Sequence, residues 1–403
     1  MRKIRLTNSL PGTDDLRRLL PGTLVAVAVT AVSFLLAELL GTGLAWWFDL
    51  DHSPVSTFLI AIVLGMIVKN AVPLPAGVEP GFRFCVSRVL RVGIILLGIR
   101  LSLVAVLRIG VVAALIVVIC IVTAILVTGL LSRWFGVSGR LGTLIAAGTS
   151  ICGVSAVVAV SPAIGAREEE TSYAISTITV FGVLATLLYP YLAELAMGLS
   201  TAQAGLFLGT AVHDTSQVTG AAFIYDQVWG RNVSRIAITT KLVRNTLMVV
   251  VIPFLSIAYA RQAAADGSAN PTEAVAADDQ GAKAGPGGRA SLWSAFPVFV
   301  LGFLALALFR TVGDAMLAGD AGAFLWWTTP ESWAGFHAGV KQTAAYLLSL
   351  AIAAAGLSTD FRKLRRLSIR PFLIGFVAAA VVGLVSFLLV TVFAATIAMH
   401  VPV

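Results

Sequence analysis

Charge is what this chain has least of. Of its 403 residues only 12% are Asp, Glu, Lys or Arg, about half the share in an ordinary soluble domain. The apolar share is 58% and the mean hydropathy is +0.94. A soluble protein of this length needs more polar surface than that, so the excess must face lipid. Cysteine is nearly absent as well. Cys85, Cys120 and Cys152 lie in or beside apolar segments with no CxxC or Cys/His spacing, which excludes a disulfide framework and a zinc site. No pattern calls for a metal or a cofactor. The net charge of +8 comes from Lys and Arg in short loops between apolar runs, with no basic amphipathic face. It therefore speaks for membrane orientation and against nucleic acid.

Apolar runs long enough to span occur near 22–46, 54–72, 86–107, 109–132, 172–197, 236–260, 292–312, 336–357 and 371–399. The expectation is an all-α membrane protein with nine to eleven transmembrane segments. Residues 1–21 form a basic N-terminal tail (Arg2, Lys3, Arg5, Arg17, Arg18) ahead of an uncleaved first span. Residues 22–261 and 292–403 are the two membrane regions. Residues 262–291, small, polar and Gly/Pro-punctuated, read as a disordered cytoplasmic linker. The loops at 47–53 and 313–335 hold no Lys or Arg, whereas the tail, the linker and the run Arg362–Arg366 are basic. The positive-inside tendency then puts the N-terminus in the cytoplasm.

Two tracts, 141–165 and 202–226, are polar where a span is expected. Gly148-Thr149-Ser150-Ile151-Cys152-Gly153-Val154-Ser155 and Gly209-Thr210-Ala211-Val212-His213-Asp214-Thr215-Ser216 share the frame G-T-x-[IV]-x-x-x-S, 61 residues apart. Irregular backbone at membrane depth survives only where protein buries it or water reaches it, so paired tracts of this kind are candidate binding elements. A second likeness joins the stretch around Gly98 to that around Gly356. Weak duplications of this kind accompany transporters built of inverted halves. If each tract is discontinuous or re-entrant, the two tracts become inverted as well. Full crossing, with eleven spans, is the other reading.

His213 and Asp214 are an ionisable pair at membrane depth, expensive unless they face a cavity or a partner. They and Asn245 are the candidates for ion coupling, against a structural hydrogen bond that fixes the turn. Lys241, Arg244 and Asn245 share one helix face. Turned inward, that face neutralises Asp214 or attracts an anion; turned outward, the cations snorkel. For the anion itself the candidates are Gly148, Thr149, Ser150, Cys152, Gly153 and Ser155 of the first tract, Thr210, Thr215, Ser216 and Gln217 of the second, and Lys241 and Arg244. His337 and Lys341 border an outer vestibule or snorkel. Glu38 and Glu194 lie near span ends, where a hydrated carboxylate is cheap. A Ser155–His213 hydrolase dyad has no support from spacing.

The stretches GTSICGVSAVVAVSPAIGAREEETSYAISTITVFG (148–182), GTAVHDTSQV (209–218), KLVRN (241–245) and LRVGIILLGIRLSL (90–103) resemble the sulfate exporter family of bacterial inner-membrane proteins. More distantly, the first tract and the span after it resemble the broken-helix region of bile acid sodium symporters. The resemblance implies a panel-and-core fold with crossing discontinuous helices. It implies no enzyme but a secondary transporter of a small anion (sulfate, a related sulfur oxyanion or a sulfonate) coupled to H⁺ or Na⁺. An anion channel is the alternative, and a homodimer is left open.

Overall fold

The computed structural model describes residues 13–48, 55–265, 297–318, 329–361 and 369–401, and their regular elements are all helical. The chain enters through α1 (Thr13–Phe48) and α2 (Thr57–Ala71), the latter capped by the Ser56 hydroxyl. Helices α3 (Glu79–Phe84) and α4 (Leu90–Leu97) run together through a widened turn and end in a tight turn at Gly98–Arg100. Ser102 then caps α5 (Leu103–Trp134), accepting from the Ala105 amide. The first polar tract forms α6 (Gly139–Ser150) and α7 (Val154–Val160), and α8 (Glu168–Tyr191) follows. The second forms α9 (Thr201–Ala211) and α10 (Thr215–Trp229). After them come α11 (Val233–Thr246), α12 (Met248–Ala265), α13 (Phe299–Ala318), α14 (Pro330–Leu357), α15 (Ile369–Val392) and α16 (Ala394–His400).

Six of these (α1, α5, α8, α13, α14 and α15) are long and apolar enough to cross a bilayer, and a seventh span results if α11 and α12, bent by 44°, count as one. Among the described residues the nine to eleven expected from apolar runs are not reached, for local reasons. Run 54–72 yields a helix of 15 residues, about 22 Å long against a hydrocarbon core of about 30 Å. Run 86–107 is cut at Ser102, whose cap starts a new helix of 32 residues. Run 236–260 contains the bend after Thr246. The linker 262–291 lies almost wholly outside the described residues.

The surface is inverted relative to a soluble protein. Large apolar side chains point outward, Val111 and Val392 at 75% exposure and Leu130 at 71%, while Ala, Gly and Thr line helix contacts. Lipid removes the hydrophobic drive between helices, so close backbone approach through small residues takes its place. Gly98 lies against the Phe303 carbonyl of α13, and Gly356 against the Ile62 carbonyl of α2, with no room for a Cβ at either. Innermost are α9, α10 and α11, where residues from Ala202 to Tyr225 and from Val233 to Asn245 are almost all buried.

The ends of the two tracts are tied to α8. Ser138 before α6 donates to Glu170 (2.8 Å), and Ser161 after α7 shares a hydrogen bond with Thr171 (2.6 Å); both partners lie in the first turn of α8. At its other end Glu194 accepts from Arg231 (2.8 Å) and from the Tyr225 hydroxyl, just where α10 gives way to α11.

Candidate functional site

Each tract is interrupted at the same place in its shared frame. Helix α6 ends at Ser150 and α7 starts at Val154; α9 ends at Ala211 and α10 starts at Thr215. Helix ends expose carbonyls and amides that must find partners when water is excluded. Here α11 supplies them, because Lys241 and Arg244 stand one turn apart on the face it turns toward both breaks. Lys241 Nζ donates to the carbonyls of Ile151 (2.9 Å), Val212 (3.2 Å) and His213. Arg244 donates from Nε to Ser150 O (2.8 Å), from Nη2 to Thr149 O (2.6 Å) and from Nη1 to Thr210 O (2.6 Å). Both cations are fully buried. They bridge two stretches of chain some 60 residues apart into one crossover, and positive charge at helix C-termini is electrostatically favourable.

The carboxylate of Asp214 caps α10. Its Oδ1 accepts from the Ser216 amide (2.9 Å) and hydroxyl (2.6 Å), while Gln217 Oε1 accepts from the Asp214 amide (3.3 Å). This Asp-x-x-Gln is a reciprocal capping box, whose signature is already present in the sequence. Gly153 has φ +64°, and a Cβ there would sit 3.2 Å from Asp214 Cβ and Oδ2, so glycine at one break lets the acid of the other approach. No other Asp or Glu occurs in α6, α7, α9 or α11, and α10 has just Asp226 near its far end.

The remaining candidates divide. The hydroxyls of Thr149 and Thr210 return to the carbonyls of Ile145 (2.8 Å) and Leu206 (2.7 Å), four residues earlier, and Ser150 bonds Ala147 O (3.3 Å). Their contribution to the crossover is the main chain. Cys152 is buried with Sγ 4.0 Å from Met248 Sδ, Gly148 packs on Ile178, and Gln217 also donates to Thr179 O (3.2 Å). Asp214 and Thr215 are partly accessible, Ser155 is exposed, and Thr215 accepts from Asn245 Nδ2 (3.2 Å). Asn245 Oδ1 and both ring nitrogens of His213 are buried with no hydrogen-bond partner among the described residues; Ser155 and His213 are thus not hydrogen-bonded. Ser386 of α15, bonded to Thr210 (2.6 Å), and Thr128 of α5, 3.4 Å from Thr149, buttress the breaks. Neither stood out in the sequence, because each is one of a few scattered hydroxyls in an apolar span.

Comparison with known proteins gives the same class of molecule. A UPF0324 membrane protein of Nitratidesulfovibrio vulgaris is 30% identical over 361 residues, 89% of this chain and 88% of its own length. A UPF0324 membrane protein of Streptococcus pyogenes is 30% identical over 370 residues, 92% of this chain and 96% of its own. One from Bacillus cereus is 29% identical over 334 residues, 82% and 85%. No solved structure matches. Residues 21–375 match the family model described as Conserved hypothetical protein 698, a range that takes in every element of the crossover, and the chain belongs to that family of multi-pass membrane proteins.

Proposed function

We propose that this protein is a secondary active transporter of the bacterial inner membrane. It moves a small anion, sulfate or a related sulfur oxyanion or sulfonate, coupled to H⁺ or Na⁺, through the crossover of its two interrupted helices. The observation that carries this reading is Lys241 bonded to carbonyls of both breaks while Asp214 of one lies against Gly153 of the other. Interrupted backbone at membrane depth is the usual way transporters build a site. Each break contributes one positive and one negative helix end, so the dipoles offset one another. Two cations against one carboxylate then leave the region positive, which favours an anion. Protonation of Asp214, or an ion bound to it, raises that charge by one, so anion and coupling ion assist each other's binding. The unpartnered His213 and Asn245 atoms are further places for the coupling ion or its water.

The ties to α8 support re-entrant tracts. Both ends of the first meet the start of α8, and the second leaves from and returns to its far end. In this reading the tracts enter from opposite faces, the halves are inverted and the N-terminus is cytoplasmic.

The test is flux into proteoliposomes. The wild-type protein is expected to take up sulfate saturably under a proton or sodium gradient, and Asp214→Asn to lose the coupled component. Asn is as good a helix cap as Asp, so the variant should fold. A non-saturating flux would favour a channel, and an unaltered rate in Asp214→Asn would remove this residue from the mechanism.

A further inference from the structure

Away from the crossover, a cavity of about 210 Å³ is bordered by Arg100, Asn232, Arg235, Arg310, His337 and Lys341. These residues come from four places: the turn after α4, the start of α11, α13 and the first half of α14. Two of the cations are fixed as walls. Arg100 donates to Ser234 Oγ (3.0 Å) and Asn232 Oδ1 (2.9 Å), and Arg310 donates to Ile99 O (2.9 Å). Two carboxylates face the cluster. Asp314 accepts from Arg310 Nε (3.1 Å) and Trp333 Nε1 (2.8 Å); Asp226, near Arg100 and Arg235, accepts from the Ser234 amide (3.1 Å).

Four cations therefore meet two carboxylates. The surplus falls on the groups with least to hold: Arg235 Nε and His337 Nε2 are buried without a partner, and Lys341 has no hydrogen bond or ion pair among the described residues. Like charges gathered around partly buried groups repel unless something negative sits among them. Orientation does not explain them either. Arg310 and His337 flank the stretch 313–335, which is free of Lys and Arg, so positive-inside bias would keep cations away from this face. The cavity has room for several waters or one hydrated oxyanion, and the guanidinium fork suits such a group. Arg235 precedes Lys241 by six residues on α11, about 9 Å along the axis.

We propose that this cavity is an anion-capture site that holds one compact oxyanion ahead of the crossover. Its role as an entry site rests on the transporter reading; the binding itself does not. Calorimetric titration of the purified full chain with sodium sulfate, at ionic strength fixed with chloride, tests it. Lys341→Gln and Arg235→Gln should each weaken sulfate about tenfold, with Arg133→Gln, which removes an exposed cation at the far end of α5, retaining wild-type affinity. Lys341 is exposed, so its replacement keeps the test valid if Arg235→Gln unfolds. If the wild type binds no sulfate but retains phosphatidylglycerol in native mass spectrometry and Lys341→Gln releases it, the site stands with a lipid headgroup as its oxyanion. Equal binding of both ligands by wild type and variants, or binding of neither, overturns the proposal, as does an equal loss of affinity in Arg133→Gln. A wild-type flux in Asp214→Asn beside lost binding in Lys341→Gln sinks the crossover mechanism and leaves this site intact.

Discussion

Lys241 spends all three of its ammonium hydrogens on main-chain oxygens, and Arg244 uses Nε and both terminal nitrogens in the same way. They act first as struts at the ends of α6 and α9, and an anion reaches them only by sharing those donors. Replacing Lys241 by Met leaves three buried carbonyls unpaired, and a loss of about 3 kcal/mol or more is expected, read by thermal unfolding in detergent. An intact melting temperature with weakened substrate affinity would instead make Lys241 a ligand for substrate. Gly153→Ala forces a β-carbon into φ +64° and against Asp214; about 1–3 kcal/mol of destabilisation should follow, visible in the same assay. That the charges on this face point inward was one of two readings open in the sequence. Their partners were not legible, since every backbone carbonyl looks alike in a sequence.

At the scale of elements, the polar frame G-T-x-[IV]-x-x-x-S marked both breaks to within a residue or two, because apolar spans do not tolerate that composition without reason. What it left undecided was the path on either side. Re-entrant tracts predict that cysteines placed at Gly139 and Ala163 are labelled from one face of the membrane, and those at Ser200 and Asn232 from the other. Full crossing would split each pair. The native cysteines are buried, so their background labelling should be low. Span boundaries were the least legible feature: Ser102 looks like one more polar residue after Arg100 in a largely apolar stretch, yet its hydroxyl caps the start of α5. The capping box at Asp214 was legible in the sequence, because Asp-x-x-Gln at a helix start is a local signal that needs no tertiary partner.

For the molecule as a whole, the outward-facing Leu and Val of α1, α5 and α15 against a small-residue interior make lipid the outer solvent. A carrier built on a crossover deep in such a body should show flux that saturates with substrate and vanishes when the driving gradient is collapsed; a rate linear in concentration would speak for a pore. Membership of the membrane class followed from the sequence alone, because long apolar runs with half the normal charge have no stable place in water. So did the position of the two polar tracts. The tertiary structure alone decided that the tracts meet, that Lys241 and Arg244 close both breaks, and that four separated elements gather Arg100, Arg235, Arg310 and Lys341 around one cavity. Those pairings join residues far apart in the chain through main-chain oxygens and surplus charge, neither of which leaves a periodic trace.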